Sequence, residues 1–294
     1  MLLVKQIISA IVLVICAGSA FGQNANLVEV TDNVYSYFGP TSYISMFVVT
    51  DEGVIAIEPV SKDHSKGLVA AIKSVTDKPI RYLLISHNHW DHAKGGQIFK
   101  DEDATIITHV EAAKWMDANP HPDLVPPDES WDGARKNIEL GGVTLELHHF
   151  GNSHGKGMTV FLLPKEKFAY VADLVAPNRL PFMFLPDFSV GGLENTLAQI
   201  EQMDFDKAIF SHNEMPNPRA GGSKQDVSDT LQYLGDLKAA MQSELAKGAN
   251  PRAIPGNVRL PKYEHWVMYD QWLSLNAWRI FLDWHMGPFP SHPD

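Results

Sequence analysis

Cysteine is almost absent from the sequence, since Cys16 is the single thiol among 294 residues. Cys16 lies in an N-terminal segment that we expect to be removed, so the mature chain would have no cysteine. Without cysteine, the protein cannot form a disulfide, use a thiol nucleophile or bind a metal through thiolate. Any metal site must therefore consist of histidine and carboxylate side chains.

The first 22 residues have the pattern of a secretory signal peptide. Lys5 precedes an apolar run over residues 7–17, and small residues follow, so we expect cleavage after Ala20 or Gly22. The apolar run is too short to span a bilayer comfortably. The expected protein is exported, periplasmic or secreted, with no membrane span in its mature form. An uncleaved N-terminal anchor is the alternative.

Positive charge is scarce, because 24 Lys and Arg residues stand against 35 Asp and Glu residues, for a net charge of −11. The basic residues do not cluster in the way that a phosphate backbone requires, which argues against nucleic acid as a partner. A small-molecule substrate is therefore the expected partner. A homo-oligomer stays open, since the aromatic residues of 266–286 either pack on the chain itself or cover a subunit surface.

The hydrophobic pattern predicts strands first and helices later. Short β-branched or aromatic runs at 34–38, 44–50 and 54–57 predict a β-meander, and the apolar run at 80–86, which follows a helix around 68–75, predicts a buried strand. Further strands are predicted at 104–108, 143–149, 158–163, 168–172 and 208–211, with helices at 110–118 and 193–200. Residues 119–136 are predicted to form a loop. This order is typical of an α/β sandwich flanked by helices.

From Ser223 onward, the sequence is mainly helical. Ser223 and Asp226 resemble a capping box, and a last helix is predicted over residues 266–286. The expected division is therefore a signal peptide at 1–22, a sandwich domain at 23–222 and a helical C-terminal extension at 223–294. We expect this extension to pack on the sandwich domain.

The segment directly after the buried strand is the strongest functional signal. Its sequence, His87-Asn88-His89-Trp90-Asp91-His92, has three histidines and an aspartate within six residues. A loop that leaves a rigid strand can aim such side chains at one point, and histidine is the commonest metal ligand. A solvated polar loop accounts for the charge, but it does not account for this density of histidine.

The pattern resembles the HxHxDH motif of the metallo-β-lactamase superfamily, and the resemblance covers about residues 28–215. It implies an αββα sandwich and a hydrolase with two divalent metal ions. His154, in a glycine-flanked loop, resembles the third ligand motif, with His148 and His149 as competitors. Asp173, after an apolar strand, resembles the bridging carboxylate, and His212 resembles the last histidine. The implied ligands are His87, His89 and His154 for one metal and Asp91, His92 and His212 for the other, with Asp173 between them.

Histidine and carboxylate ligands suit zinc, with iron and manganese as alternatives. The resemblance implies that metal-bound hydroxide attacks a carbonyl and that Asp91 orients this nucleophile or transfers its proton. Asp173 favours the lactonase and thioesterase branches, so ester or lactone hydrolysis ranks first and β-lactam hydrolysis second. Sulfatase, phosphodiesterase and thioesterase activities stay open. An iron-dependent redox enzyme of the same fold and a binding protein without chemistry are the competing classes.

Two segments are expected to line the substrate pocket. Residues 177–188 follow Asp173 directly and include Arg179, Phe182 and Phe184. The loop at 119–136 carries Trp131, which is expected to form a second wall or a lid. His109 is interpreted as a packing residue or as a residue that supports the metal ligands, and not as a ligand.

Overall fold

A computed structural model of the protein describes residues 26–212 and 221–287, so the expected signal peptide lies outside the described residues. Its strands are β1 Leu27–Thr31, β2 Val34–Phe38, β3 Ile44–Val49, β4 Val54–Ile57, β5 Ile80–Leu84, β6 Thr105–His109, β7 Glu129–Trp131, β8 Arg135–Leu140, β9 Val143–His149, β10 Thr159–Leu163, β11 Phe168–Val171, β12 Lys207–Phe210 and β13 Gly222–Ser223. Its α-helices are α1 Lys62–Val75, α2 Trp90–Ala93, α3 Gln97–Lys100, α4 Val110–Ala118, α5 Val190–Glu201, α6 Lys224–Ala246, α7 Ile254–Asn257 and α8 Tyr269–Met286.

The strands form two mixed sheets. The first has the order β1-β2-β3-β4-β5-β6-β7; its first four strands are antiparallel and β4 to β7 pair in parallel. The second has the order β13-β12-β11-β10-β9-β8, where β11 and β12 are the parallel pair. The parallel pairs bring the carboxyl ends of several strands to one edge, where α/β proteins usually bind ligands.

Alternation along the strands builds a core on each side of the first sheet. In β4, Ile55 and Ile57 face the core between the sheets, whereas Val54 and Ala56 belong to the cluster beneath α1. Successive side chains of a strand point to opposite faces, so a continuous apolar strand is buried on both. Helices α1, α3 and α4 cover the outer face of the first sheet, while α5, α6 and α8 join the core that contains the second sheet. The expected αββα sandwich is confirmed.

The helical C-terminal region shares the core of the sandwich. Helix α6 starts at the predicted capping box, in which Ser223 N donates to Asp226 Oδ2 at 2.7 Å and Ser223 Oγ accepts from Gln225 N at 3.2 Å. Tyr233 and Trp272 belong to the same apolar cluster as the inner strands. Helix α8 begins at Tyr269 and not at residue 266, because Met268 adopts a left-handed backbone with φ of 65°.

The expectation of a loop over residues 119–136 is wrong for residues 129–131 and 135–136. Strand β7 lies within this stretch and pairs in parallel with β6, with His109 opposite Trp131, and β8 begins at Arg135. The Glu-Ser-Trp sequence of β7 has too few apolar residues to show a strand period, and its hydrogen bonds with β6 define it. Within the described residues, the helices are too short or too polar to cross a membrane.

Candidate metal centre

The predicted ligands lie at the edge of the sandwich where parallel strands end. His87 lies just after the end of β5, Asp173 just after the end of β11 and His212 just after the end of β12. Because β11 and β12 pair in parallel, with Val171 opposite Phe210, Asp173 and His212 leave the sheet side by side. The order of the sheets therefore brings together residues that are far apart in the sequence.

Helix α2 points the side chains of Asp91 and His92 to different sides of the centre. His89 is its N-cap, and the His89 carbonyl accepts from His92 N at 3.0 Å and from Ala93 N at 2.9 Å. This single turn leaves the Asp91 side chain 55% exposed while the His92 side chain is fully buried. The short helix thus presents Asp91 to the open side of the centre and His92 to its interior.

The loop between β9 and β10 carries His154, and the motif itself holds this loop. Asn88 N donates to Lys156 O at 3.3 Å, and Asn88 Oδ1 accepts from Lys156 N. The competing histidines of the preceding strand are engaged elsewhere, since His148 Nε2 contacts Glu146 at 2.9 Å and His149 Nδ1 contacts Met158 O at 3.0 Å. Of the three histidines considered, His154 lies with the motif histidines.

The structure gathers the seven residues into two adjoining groups. In each group, one nitrogen or oxygen atom per residue lies within 4.8 Å of the others; the first group is His87, His89, His154 and Asp173, and the second is Asp91, His92 and His212. The histidines and Asp91 divide as the sequence resemblance implied, and Asp173 falls in the first group.

Asp173 joins the two groups through its two oxygen atoms. Oδ2 lies 3.3 Å from His154 Nε2 and 3.7 Å from His87 Nε2. Oδ1 lies 3.0 Å from His92 Nε2 and 3.1 Å from His212 Nε2. One carboxylate therefore faces both groups, as a bridging ligand must.

The electrostatics keep this carboxylate ionised in the metal-free chain. Burial opposes ionisation of Asp173, but His92 and His212 outweigh it and hold its pKa well below the usual range. Burial also opposes protonation of His92, yet Asp173 and Glu58 raise its pKa well above the ordinary value. For His87 and His154, burial dominates and lowers the pKa, which leaves neutral imidazoles that can bind a metal.

Glu58 is a functional residue that the sequence analysis missed. It is fully buried, follows β4 directly and adopts a left-handed backbone with φ of 69°. Its Oε1 accepts from Ser86 N at 2.8 Å, and its Oε2 contacts His92 Nδ1. The sequence contained one signal for Glu58, because this carboxylate directly follows β4, the strand that pairs with β5. Glu58 fixes the His92 ring so that Nε2 points to Asp173, a common arrangement for metal-binding histidines.

Four other side chains orient the predicted ligands. Asp187 Oδ2 lies 2.8 Å from His89 Nε2, and Ser86 Oγ lies 2.8 Å from His87 Nδ1. Tyr43 donates its hydroxyl hydrogen to Asp91 Oδ2 at 2.7 Å, and Ser211 donates to Asp173 Oδ1 at 2.8 Å. Ser86 and Ser211 directly precede the ligands His87 and His212 in the sequence, whereas Tyr43 and Asp187 approach from other loops.

The donor set fits a metal ion. His87 Nε2 is completely buried and makes no hydrogen bond to any residue in the ranges that the structure describes. Since Ser86 occupies the other ring nitrogen, Nε2 is the nitrogen left to face the centre. A buried nitrogen without a partner is costly unless something else binds it, and a cation held by imidazole and carboxylate ligands satisfies this requirement.

The sequence model described as the metallo-beta-lactamase superfamily matches residues 39–212. This chain belongs to that superfamily. The matched region includes all seven predicted ligands and ends at the last of them. The two residue groups are consistent with the dinuclear metal site of the superfamily.

One curated relative is similar to just over half of this chain. The chain is 27% identical over 164 residues to 2,4-dinitroanisole O-demethylase subunit alpha from Nocardioides sp. (strain JS1661), a match that covers 55% of this chain and 50% of that relative. The match thus spans about half the length of this curated relative.

Solved structures at lower identity share the fold. The metallo-beta-lactamase from Pontibacter korlensis has a TM-score of 0.63 at 18% identity, with 71% of this chain and 98% of that one covered. The inverting sec-alkylsulfatase Pisa1 from Pseudomonas sp. has a TM-score of 0.68 at 17% identity, with 89% and 50% covered.

In this superfamily member, the metal centre forms the floor of a cavity of about 390 Å³. His89, Asp91 and Asp173 line it on one side. The wall comes from the segment after Asp173 and is mainly apolar; it includes Leu174, Ala176, Pro181, Phe182, Pro186 and Phe188. A small molecule with an apolar body suits a cavity of this size and lining.

Two of the four predicted wall residues line the cavity. Arg179 and Phe182 do so, and both contact Trp272 of α8, with the guanidinium 5.6 Å from the ring centre and the Phe182 ring edge-on at 5.3 Å. Phe184, half-buried, does not line the cavity. The expectation for Trp131 is wrong, because strand β7 buries it in the core with its ring edge-on to His109 at 4.6 Å.

Helix α8 anchors the wall, which the sequence analysis did not foresee. The buried side chain of Asn276 donates to Pro181 O at 3.1 Å and to Met183 O, and it accepts from Tyr233 OH at 2.8 Å. The buried guanidinium of Arg279 donates to Phe188 O. The C-terminal helix therefore shapes the cavity through buried polar side chains.

Proposed function

We propose that this protein is an exported dinuclear zinc hydrolase that cleaves an ester or lactone bond in a small, largely apolar substrate. The observation that carries the proposal is the position of Asp173. Its two oxygens face two groups of nitrogen and oxygen donors at the floor of an apolar cavity. Two cations held this close need a shared anionic ligand, and Asp173 fits that role.

A pair of bound metal ions supplies an activated water molecule and polarises the bond under attack. Imidazole and carboxylate donors without thiolate suit zinc. The chain's own contribution is to orient these donors, with Glu58 on His92 and Asp187 on His89. Such fixed partners keep each ring in one tautomer and in one direction.

Asp91 is the candidate proton acceptor. Burial opposes its ionisation, but His92 and the Tyr43 hydroxyl outweigh this effect and keep its pKa below the ordinary value. The hydrogen bond from Tyr43 occupies Oδ2, and the carboxylate lines the cavity. Asp91 can therefore accept a hydrogen bond from a water molecule beside the substrate and receive its proton.

The wall supports a substrate with one polar end. Phe182 is 47% exposed and offers an apolar surface across the cavity from the centre. Arg179 brings a permanent positive charge to the same wall. An acyl or lactone substrate would place its apolar chain against Phe182 and a developing or fixed negative charge toward Arg179.

The direct test compares Asp91→Asn with Asp77→Asn, an exposed carboxylate in the turn before β5. We expect Asp91→Asn to lower kcat by about 100-fold or more, the usual contribution of a positioned acid or base. Asp77→Asn should retain full activity. The substrates are p-nitrophenyl esters and a panel of lactones. Metal content is measured on both variants, because lost metal must be distinguished from a lost proton acceptor. Unchanged turnover in Asp91→Asn would refute the role of Asp91.

The substrate panel also separates the alternatives. A chromogenic cephalosporin tests β-lactam hydrolysis, and 2,4-dinitroanisole is included because a relative at 27% identity is named for its demethylation. Iron in the purified protein together with oxygen uptake would replace hydrolysis by redox chemistry. Full zinc occupancy without turnover of any substrate would favour a binding protein. Mass analysis of the extracellular and periplasmic fractions tests export, with a mature N-terminus after Ala20 or Gly22 as the expected result.

A further inference from the structure

A separate cluster of metal-binding side chains lies outside the centre described above. His109 ends β6 and caps α4, Glu111 lies in the first turn of α4, and His149 ends β9. One nitrogen or oxygen atom from each lies within 4.8 Å of the other two. Since β6 belongs to the first sheet and β9 to the second, the cluster joins the two sheets.

The hydrogen bonds of His149 leave one of its nitrogens available. Its Nδ1 lies 3.0 Å from the Met158 carbonyl oxygen, which can only accept, so Nδ1 carries the hydrogen. In the neutral ring, Nε2 then bears a lone pair. This atom lies 3.9 Å from Oε2 of Glu111, on the side of the ring that is turned toward the carboxylate.

His109 is buried, but its ring is weakly engaged. The His109 ring stacks on that of His149, with centroids 4.1 Å apart and planes 22° from parallel. Its two hydrogen bonds are long, at 3.3 Å from Nε2 to Gly133 O and 3.4 Å from Glu111 N to Nδ1. Burial and the neighbouring His149 lower the pKa of His109, so the ring is neutral at pH 7 and can bind a cation.

We propose that His109, Glu111 and His149 form a third metal site, which binds one transition-metal cation such as Zn²⁺ or Cu²⁺. Two imidazoles and one carboxylate are a known zinc-binding set, with water in the remaining position. Metal–ligand bonds of about 2.0–2.1 Å place tetrahedral ligands about 3.3 Å apart, so the cluster must contract by about 1 Å. Glu111 can make this movement, because its side chain is 48% exposed.

The position of the site gives it a structural role. His149 and Met158 lie at the two ends of the loop that carries His154, and their hydrogen bond closes this loop. His109 packs against the same end of the loop, since a Cβ added to Gly157 would lie 3.0 Å from the His109 Cβ. A cation held by the three side chains would tie β6, α4 and β9 around the base of the loop. It would therefore stabilise the folded chain.

The test is a Zn²⁺ titration of the metal-free full chain, with stoichiometry read by native mass spectrometry and calorimetry. Wild type should bind three equivalents, whereas Glu111→Gln and His149→Ala should bind two at the same concentrations. His148→Ala is the matched control, because His148 neighbours His149 but contacts Glu146, and this variant should keep three. Two equivalents in wild type, or three in Glu111→Gln and His149→Ala, would overturn the proposal.

A second measurement isolates the site from the dinuclear centre. In the quadruple variant His87→Ala/His154→Ala/Asp173→Ala/His212→Ala, which leaves a single histidine in each of the two ligand groups, Cu²⁺ is added and its electron paramagnetic resonance spectrum is recorded. We expect coupling to two imidazole nitrogens, reduced to one after His149→Ala, together with at least a tenfold loss of Cu²⁺ affinity after Glu111→Gln. A spectrum that both changes leave unaltered would place the cation elsewhere and refute the site.

Discussion

Asp187 should control how tightly the first ligand group binds a metal ion. Its Oδ2 lies 2.8 Å from His89 Nε2, so the His89 Nδ1 nitrogen is the one left for a metal. Carboxylate partners of this kind orient the ring and raise its basicity, and their removal usually weakens metal binding by about 10- to 100-fold, or about 1.4–2.8 kcal/mol.

The size of the effect should follow what the substitution removes. Asp187→Asn keeps an acceptor oxygen but removes the negative charge, so we expect about a tenfold loss of affinity for one of the two zinc ions. Asp187→Ala removes both, and we expect a larger loss of about 30-fold. The side chains of Asp187 and His89 are 34% and 24% exposed, so water screens part of their interaction. We therefore expect losses of affinity in the lower half of the range of about 10- to 100-fold.

The assay is competition between the metal-free protein and a chromophoric zinc chelator, which gives a dissociation constant for each equivalent. Asp204→Asn is the control, because Asp204 is 78% exposed and pairs with Lys167 far from the centre. One equivalent should weaken in the Asp187 variants, and the other should remain within about twofold. Dissociation constants that stay the same in Asp187→Ala would refute the assignment of Asp187 as the partner that orients His89.

Three further predictions concern stability and the substrate wall. Asn276→Ala should lower the free energy of unfolding by about 2 kcal/mol and raise KM more than it lowers kcat, because the partly buried hydrogen bonds to the carbonyl oxygens of Pro181 and Met183 are lost; urea denaturation and steady-state kinetics measure both. Burial lowers the pKa of His64 to about 4, so the unfolded chain, with a pKa of about 6.5, binds more protons below that pH. About 3 kcal/mol of stability should therefore disappear between pH 6.5 and pH 4. Finally, a chelator should abolish turnover and lower the melting temperature, and added zinc should restore both.

A defined outcome would contradict each of these predictions. For the wall, a lower kcat with an unchanged KM in Asn276→Ala would show that α8 does not position the substrate. For His64, the metal-free His64→Gln chain should lose about 3 kcal/mol less than the metal-free wild type over the same pH interval; parallel curves would contradict the assignment. For the chelator, full activity after metal removal, verified by elemental analysis, would exclude a metal-dependent reaction.

Prediction from the sequence worked best where the signal was local. The motif at His87 to His92 follows an apolar strand directly, and the continuous apolar run of strands such as β4 reflects burial on both faces. These patterns depend on neighbouring residues only. Strand β7 was missed for the opposite reason, because it contains three residues and its definition depends on pairing with β6. Trp131 was consequently assigned to a second wall or a lid although it lies in the core.

The amino-acid sequence by itself determined the donor chemistry of this protein, because the types and order of the metal-binding residues are written in short motifs at strand ends. Only the tertiary structure decided which side chains orient those donors and which line the cavity. Glu58, Asp187 and Asn276 approach from separate loops and helices, and no spacing in the chain relates them to their partners. Their roles arise from parallel strand pairing and from the packing of α8, which bring distant segments to one edge of the sandwich.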